Sequence, residues 1–393
     1  MNEKLAILGG LPYIAEPIKE LSIFDNDIIG PIYDLLRNRP LSTLYGDYDV
    51  KQFENVFRRI VGSKFCAAVN SGTSALHSST IALDISPEDG VLVTSFSFVA
   101  TVSVIIQARA VPIFVDIDPT NLGISIDDIQ RKITIKTKAV YIAHMFGIPA
   151  DILRIKEFCE DNKLLLVEDC CQALGTIVNG THVGNFGDVG YFSFNVSKIV
   201  QTGEGGMVIT NEGKLDEMIR ELRVNGMTPF EVERLGYNYR MTNLQALLGL
   251  YQIEKWDSIL KKRKIRKDIL ERNLSGVEQL EYSRNNVTYS YYKYPFFIKR
   301  KYEKYMDAIV WAMKKEGVPT SSAYKLLYNI PYIKKAYYSF KCPIGEDMIP
   351  RLIAINPSHL ISEADMQNIA GAIQKVIDNA DDIVEQSKAD NIF

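Results

Sequence analysis

One lysine stands apart in this sequence. Lys198 closes the run Gly187-Asp-Val-Gly-Tyr-Phe-Ser-Phe-Asn-Val-Ser-Lys198, has few charged neighbours, and precedes a glycine-rich turn, Gln201-Thr-Gly-Glu-Gly-Gly206. A lysine in such a place is either a surface residue that snorkels its ammonium to water or one whose ammonium is destabilised by burial. The second kind loses its proton readily and becomes an amine nucleophile able to form a Schiff base.

Two other stretches bear on that choice. Asn70-Ser-Gly-Thr-Ser-Ala-Leu76 follows the apolar run Phe65-Cys-Ala-Ala-Val69 and opens a helical pattern. A small-residue turn at a helix N-terminus presents unpaired amides and a favourable dipole, which suits a phosphate. It is equally the form of an ordinary Ser/Thr cap. It is neither a P-loop nor G-x-G-x-x-G, so nucleotide-cofactor readings lose ground. Asp169 ends an apolar run, with Glu168 before it and Cys170-Cys171-Gln172 after it. A carboxylate at the mouth of a buried strand needs a cation: a metal, an arginine or a protonated heterocycle. Its plain alternative is the cap of the next turn. His77, His144, His182 and His359 are dispersed without ligand spacing, so no metal is expected. A phosphate cup, a buried carboxylate and an isolated lysine beside a glycine turn together describe a pyridoxal phosphate pocket.

These residues need a scaffold that brings them to one place. Gly90–Thr94, Val111–Asp116, Ala139–Ala143 and Leu164–Asp169 each read as a strand buried on both faces. Between them lie helical patterns such as Thr73 to Leu83 and Ile152 to Asn162. The alternation predicts an α/β fold with a doubly wound, mostly parallel sheet, whose ligands gather at the carboxyl ends of the strands. From Tyr251 the character changes. A charged helical stretch, Gln252 to Leu274, leads to a Tyr- and Asn-rich segment from Tyr282 to Lys293, then to strands and helical patterns at Lys304–Glu316 and Glu363–Asn379. The expected division is a large cofactor-binding domain over residues 31–254 and a smaller α+β domain over residues 255–393. Residues 1–30 are expected to lie beside the small domain. The basic cluster Lys261-Lys-Arg-Lys-Ile-Arg-Lys267 reads as a solvated helix face offset by Glu254, Asp257 and Asp268.

Four blocks resemble the sugar aminotransferases of the DegT/DnrJ/EryC1/StrS family, within the fold-type I pyridoxal phosphate enzymes. They are Asn70–Leu76, Glu168–Gly175, Phe192–Gly206 and Leu235-Gly-Tyr-Asn-Tyr-Arg-Met-Thr-Asn-Leu-Gln-Ala246. Weaker echoes lie at Ser95–Thr101 and His144–Asp151. The resemblance implies that Lys198 links to pyridoxal 5'-phosphate and later moves the proton. Asp169 would pair with the pyridinium nitrogen, Gln172 would bond the ring hydroxyl, and Phe98 would stack on the ring. Gly72, Thr73 and Ser193 would take the phosphate. Asn238 would reach the phosphate of a neighbouring subunit, making the active unit a homodimer. The implied reaction moves an amino group from L-glutamate, or glutamine, to a keto-sugar, nucleotide-linked in most of the family. Relatives with His in place of the lysine dehydrate sugars; this chain has Lys198. It departs from the pattern at Cys170-Cys171, where two small residues are usual, and around Tyr324-Lys-Leu-Leu-Tyr328.

Composition bounds the alternatives. The chain has 393 residues, 47% hydrophobic and 24% charged, which fits a folded protein with a full core. With 45 basic and 48 acidic residues the formal charge is -3, so no nucleic-acid-coating role is implied. Five scattered cysteines make no disulfide framework and read as reduced thiols. There is no signal-peptide pattern and no apolar run of about 18 residues to cross a bilayer, so a cytoplasmic enzyme is expected. Two other readings compete. One is an aminotransferase acting on a cyclitol ketone with glutamine as donor, on a faint likeness in Lys4-Leu-Ala-Ile-Leu-Gly-Gly-Leu-Pro12. The other is a non-catalytic cofactor sensor, although no basic helix-turn-helix pattern precedes residue 50.

Overall fold

The structure, a computed structural model, describes residues 4–228, 230–281, 289–320, 324–337 and 340–390. Residues 282–288 of the Tyr/Asn-rich segment thus lie outside the described residues. The main sheet contains β1 (Phe65–Val69), β2 (Gly90–Thr94), β3 (Val111–Val115), β4 (Thr137–Ala143) and β5 (Leu165–Asp169). A two-stranded hairpin, β6 (Ile177–Val178) and β7 (Thr181–His182), follows, and β8 (Val189–Ser193) and β9 (Gly206–Thr210) complete the main sheet. Its spatial order is β1-β9-β8-β5-β4-β2-β3. All neighbours pair in parallel except at β9, which runs antiparallel to both β8 and β1. The doubly wound sheet expected from the sequence is present.

Strand alternation sorts the side chains onto two faces. Val69, Val93, Tyr141, Val167 and Val208 enter one core with α3 (Gly72–Ala82), α4 (Ala100–Gln107) and α7 (Gly213–Leu222). Leu92, Val140, Ile142 and Leu166 face the opposite way, against α5 (Ile126–Lys132) and α6 (Ile152–Asn162). On that side Cys66, Ala68, Met207 and Ile209 meet α2 (Tyr48–Val61) and α8 (Asn243–Ile253), while α1 (Ile29–Asn38) lies outside. Edge strand β1 is protected by charge. Buried Glu54 accepts from the Ala68 amide at 2.8 Å and from Arg223 at 2.7 Å, while Arg220 donates to the Cys66 carbonyl at 2.6 Å.

A second, antiparallel sheet of β10 (Leu280–Glu281), β11 (Tyr294–Ile298) and β12 (Leu352–Ile355) lies beyond. One face packs on α9 (Trp256–Leu274), α10 (Met306–Lys315), α11 (Glu363–Asp378) and α12 (Ala380–Asp390). Phe297, Leu352 and Ala354 face the other way and join the main-sheet core, as do Leu326, Leu327 and Tyr328. Leu5 joins the second core, and the segment after it is strapped down by a buried pair. Glu316 and Lys375 lie 3.0 Å apart, and Glu316 accepts from the amides of Ala6 and Tyr13 at 2.7 Å each.

Two expectations change. The helical stretch from Gln252 to Leu274 is broken at Glu254-Lys255, which lets Trp256 dock against Gly175. Beyond the break α9 serves both cores, with Trp256 and Ile259 in one and Leu270 and Leu274 in the other. The basic cluster on α9 is also not wholly a solvated face. Lys264 and Lys267 pair outward with Asp268 and Glu271, but Arg263 and Arg266 point inward and donate to backbone carbonyls. Among the described residues no helix is long and apolar enough to cross a membrane.

Candidate active site

Parallel pairing lines up the carboxyl ends of β1, β5 and β8, and antiparallel β9 adds its amino end to the same rim. Asp169 pairs in register with Tyr191, and Gly206 lies opposite both Ser193 and Val69. Glycine is needed at Gly206 because a Cβ there would stand 2.3 Å from the Ser71 carbonyl oxygen. That close approach brings the Lys198 loop against the α3 turn. The result is a cavity of about 410 Å³, within the range that holds small ligands.

Each wall has a local cause. Ser71 caps α3, its hydroxyl accepting from the Ser74 amide at 3.0 Å. Among the described residues nothing accepts from the Gly72 and Thr73 amides at the helix N-terminus, and both residues line the cavity with Ser193. Both meanings of the motif hold together here: the cap orders the turn and the turn presents the donors. A Cβ at Gly72 would come 2.8 Å from that of Ser193, so the cup fits only glycine. Lys198 sits at the end of a tight turn in which its amide donates to the Asn195 carbonyl at 2.9 Å. The loop is laced across by Phe194 to Gly205 and Thr202 to Phe194 bonds, each 2.8 Å.

Asp169 is 7% exposed. It accepts from the Cys171 amide at 2.9 Å and from Thr101 Oγ1 at 3.4 Å, and no cation forms an ion pair with it among the described residues. Gln172 Oε1 accepts from the Phe146 amide at 2.8 Å, which leaves its –NH2 as the free end. Phe98, although large and apolar, is 65% exposed at the cavity mouth. Gly72, Thr73, Phe98, Asp169, Gln172, Ser193 and Lys198 therefore line one cavity. Asn238 does not. It lies on the exposed rim, where its carbonyl accepts from Asn70 Nδ2 at 3.1 Å.

Cavity residues that the sequence reading did not single out include Tyr191, Asn195, Glu204 and Tyr292. Tyr191 extends the β8 alternation two residues before Ser193, a signal that was there to be read. Tyr292 comes from the far side of the chain, and no local pattern marks it. The ionisation of Lys198 also differs from expectation. Burial works against its ammonium, but Tyr292, Cys171 and Asp169 around it prevail and hold it above the ordinary lysine range. In the protein alone the cavity keeps this lysine charged.

Residues 24–374 match the profile of the DegT/DnrJ/EryC1/StrS aminotransferase family. The chain belongs to this family. Among DegT/DnrJ/EryC1/StrS relatives, the GDP-perosamine synthase of Vibrio cholerae is 34% identical over 286 residues, covering 72% of this chain and 78% of its own. A UDP-N-acetyl-3-dehydro-alpha-D-glucosamine 3-aminotransferase of Acidithiobacillus ferrooxidans is 31% identical over 313 residues, covering 78% and 83%. The solved structure of Spr1654 from Streptococcus pneumoniae in its PLP-form superposes with a TM-score of 0.86, at 22% identity, covering 93% of this chain and 99% of that one. The fold is thus the fold-type I arrangement that the family resemblance implied.

Family membership also clarifies a neighbouring cluster. His144, Glu168 and Cys170 bring ligand-type atoms within 4.8 Å of one another. Their lone pairs are already used. Glu168 accepts from the Gly184, Phe186 and Gly187 amides at 2.7–2.8 Å and from His144 Nε2 at 3.1 Å. His144 Nδ1 accepts from the Ala150 amide at 3.1 Å, and burial pushes the Cys170 thiol well up. This cluster has the donor set of a structural brace rather than of a metal centre.

Proposed function

We propose that this member of the DegT/DnrJ/EryC1/StrS family is a pyridoxal-phosphate-dependent aminotransferase that moves an amino group from L-glutamate, or glutamine, to a nucleotide-linked keto-sugar. One observation carries the reading. A buried carboxylate that makes no direct ion pair among the described residues, a lysine amine and helix-terminal amides share one cavity. These groups fit the cofactor: Asp169 suits a protonated ring nitrogen, the Gly72 and Thr73 amides with Ser193 suit the phosphate, and Phe98 offers a ring face. When bound, pyridoxal phosphate supplies an aldehyde carbon for exchange between amines and a ring that accepts the electron pair left by a departing proton.

The chain's own groups do the rest. Asp169 keeps the ring nitrogen protonated by holding a negative charge in a place poor in water. Gln172 orients the ring through its –NH2. Lys198 would hold the cofactor at its aldehyde carbon and, as a free amine, would take and return the proton at the donor's alpha carbon, a general acid–base role. Phe98 closes one side.

The reading includes a homodimer in which Asn238 serves the neighbouring subunit. Its support is that Asn238 is exposed and lies outside its own cavity, with the exposed apolar side chains of Phe230 and Leu235 close by in the chain. We also propose the division into residues 1–30, 31–254 and 255–393, with the break before Trp256 marking where the chain leaves the large sheet. All five cysteines are free, which suits a reducing, cytoplasmic setting.

Half-reactions test the substrate reading. Glutamate and glutamine are each offered to the yellow form, followed by a nucleotide-linked keto-sugar or an inosose. Consumption of glutamate and turnover of the nucleotide-linked ketone are the expected results. Turnover of the inosose alone would transfer the chain to cyclitol chemistry, and inertness toward every amine would make it a sensor.

A further inference from the structure

We propose that Tyr292 is a further catalytic residue of this site, its phenol hydroxyl being the hydrogen-bond partner that holds the Lys198 amine and governs when that amine carries a proton. The inference rests on the cofactor reading above and goes beyond it, since no motif in the chain pointed to this tyrosine. The geometry is direct. Tyr292 is 6% exposed, lines the same cavity as Lys198, and has the lysine Nζ 5.1 Å from its ring centre. That separation puts the lysine nitrogen within reach of the phenol hydroxyl, which is among the groups that hold the lysine above its ordinary range.

The segment bearing Tyr292 is fastened on both sides. Buried Arg263 donates to the carbonyls of Tyr291 and Tyr292 at 2.8 Å each and to Asn356 Oδ1 at 2.9 Å. The Ser290 hydroxyl donates to the Gln172 carbonyl at 2.9 Å, and the Lys293 amide to the Phe146 carbonyl at 3.3 Å. Gln172 belongs to the cavity wall itself, and the Phe146 amide is bonded to its side chain. Arg263 is 3% exposed and among the described residues has no carboxylate partner, so its charge stands behind Tyr292 uncancelled. These bonds aim the ring at the lysine; space filling alone would not need them.

Five titratable groups line the cavity with Lys198: Asp169 at the end of β5, Cys171 just beyond it, Tyr191 on β8, Glu204 in the glycine turn, and Tyr292. Four are accounted for elsewhere. Burial, with Asp169 near it, pushes the Tyr191 phenol well up, so it stays protonated. Asp169 is assigned to the ring nitrogen. Burial, with Asp169 next to it, pushes the Cys171 thiol well up, so it stays neutral. Glu204 Oε1 accepts from Asn195 Nδ2 at 3.0 Å. Tyr292 alone remains in contact with the amine. Its oxygen can accept from the ammonium and its hydroxyl can donate to the neutral amine. One proton moves between the substrate carbon and Nζ, and Tyr292 keeps its own.

The test is the titration of Lys198 in the full-length protein freed of cofactor. Trace acetylation by acetic anhydride is followed at the Lys198 peptide by mass spectrometry across pH. Removing the hydroxyl in Tyr292→Phe should lower the midpoint by about one pH unit relative to wild type. Tyr292→His, which can still accept a hydrogen bond, should recover part of it. If the Phe variant fails to fold by circular dichroism, Tyr292→Trp gives the same reading, because indole has no acceptor. A midpoint that does not move in a folded hydroxyl-free variant overturns the proposal. Adding pyridoxal phosphate to the same samples, then borohydride, tests the underlying reading separately. Wild type left unlabelled at Lys198 would sink the cofactor assignment while leaving the midpoint comparison intact.

Discussion

Glu168 and Asp169 are consecutive on β5, and the sheet sends their side chains to opposite faces. Glu168 is completely buried and meets four donors. Asp169 is almost as buried, meets two donors, makes no direct ion pair among the described residues, and opens onto the cavity. The fold thus spends one carboxylate on holding the loop between β7 and β8 in place and leaves its neighbour under-satisfied. An unbalanced buried charge costs stability. Its persistence at a cavity rim marks a ligand that supplies the missing cation.

Isosteric amides put that contrast at risk. In Asp169→Asn, transamination should fall by roughly 10²–10³-fold, the scale of losing one preorganised electrostatic contact. The cofactor-free protein should meanwhile stay folded, because the Cys171 amide and the Thr101 hydroxyl can still donate to the remaining side-chain oxygen. Stopped-flow half-reactions and thermal melts check both parts. Glu168→Gln should do the opposite. Its –NH2 cannot accept, so at least one of the donors loses its acceptor, at a cost of about 2–3 kcal/mol. Denaturant melts should show that loss, while activity per folded molecule stays near wild type. Equal damage to activity from both variants would erase the distinction between the two faces.

The closed face also predicts a pH effect. His182 accepts from the Gly175 amide at 2.7 Å and lies 2.5 Å from the Val183 carbonyl, and burial lowers its pKa from 6.5 to about 4. Between those values the unfolded chain binds the proton and the folded chain does not. Stability is therefore complete above pH 6.5 and declines as the pH falls toward 4. The loss at pH 5 should be about 2 kcal/mol. Melts of wild type and His182→Gln between pH 7 and 5 check this, with the variant expected to show the smaller pH dependence. A wild-type melt independent of pH would contradict it.

The two walls of the cavity were unequally legible. The α3 turn and the Lys198 loop could be read because their chemistry uses backbone: Gly72 and Gly206 tolerate no side chain, and that constraint is written locally. Asp169 was readable because a charge interrupts an apolar strand. The wall carried by residues 289–293 has no such mark. Four tyrosines crowd into 289–294, and only packing against Arg263, Gln172 and Phe146 selects Tyr292 for the lysine. The inward turn of Arg263 and Arg266 was hidden for the same reason, since a run of basic residues looks alike on either face of a helix. The charge on Lys198 could not be read locally, because burial alone works against an ammonium and the sequence does not show the carboxylate, thiol and phenol that the fold gathers around it.

The central claim is that the Lys198 amine bonds the cofactor aldehyde. Borohydride reduction of the holoprotein, digestion and peptide mass spectrometry test it most directly. The expected result is a yellow protein bleached by the reagent, with one phosphopyridoxyl group on the peptide containing Lys198 and none in Lys198→Ala. Label on a different lysine, or an unmodified Lys198 peptide from a protein saturated with cofactor, would contradict the account.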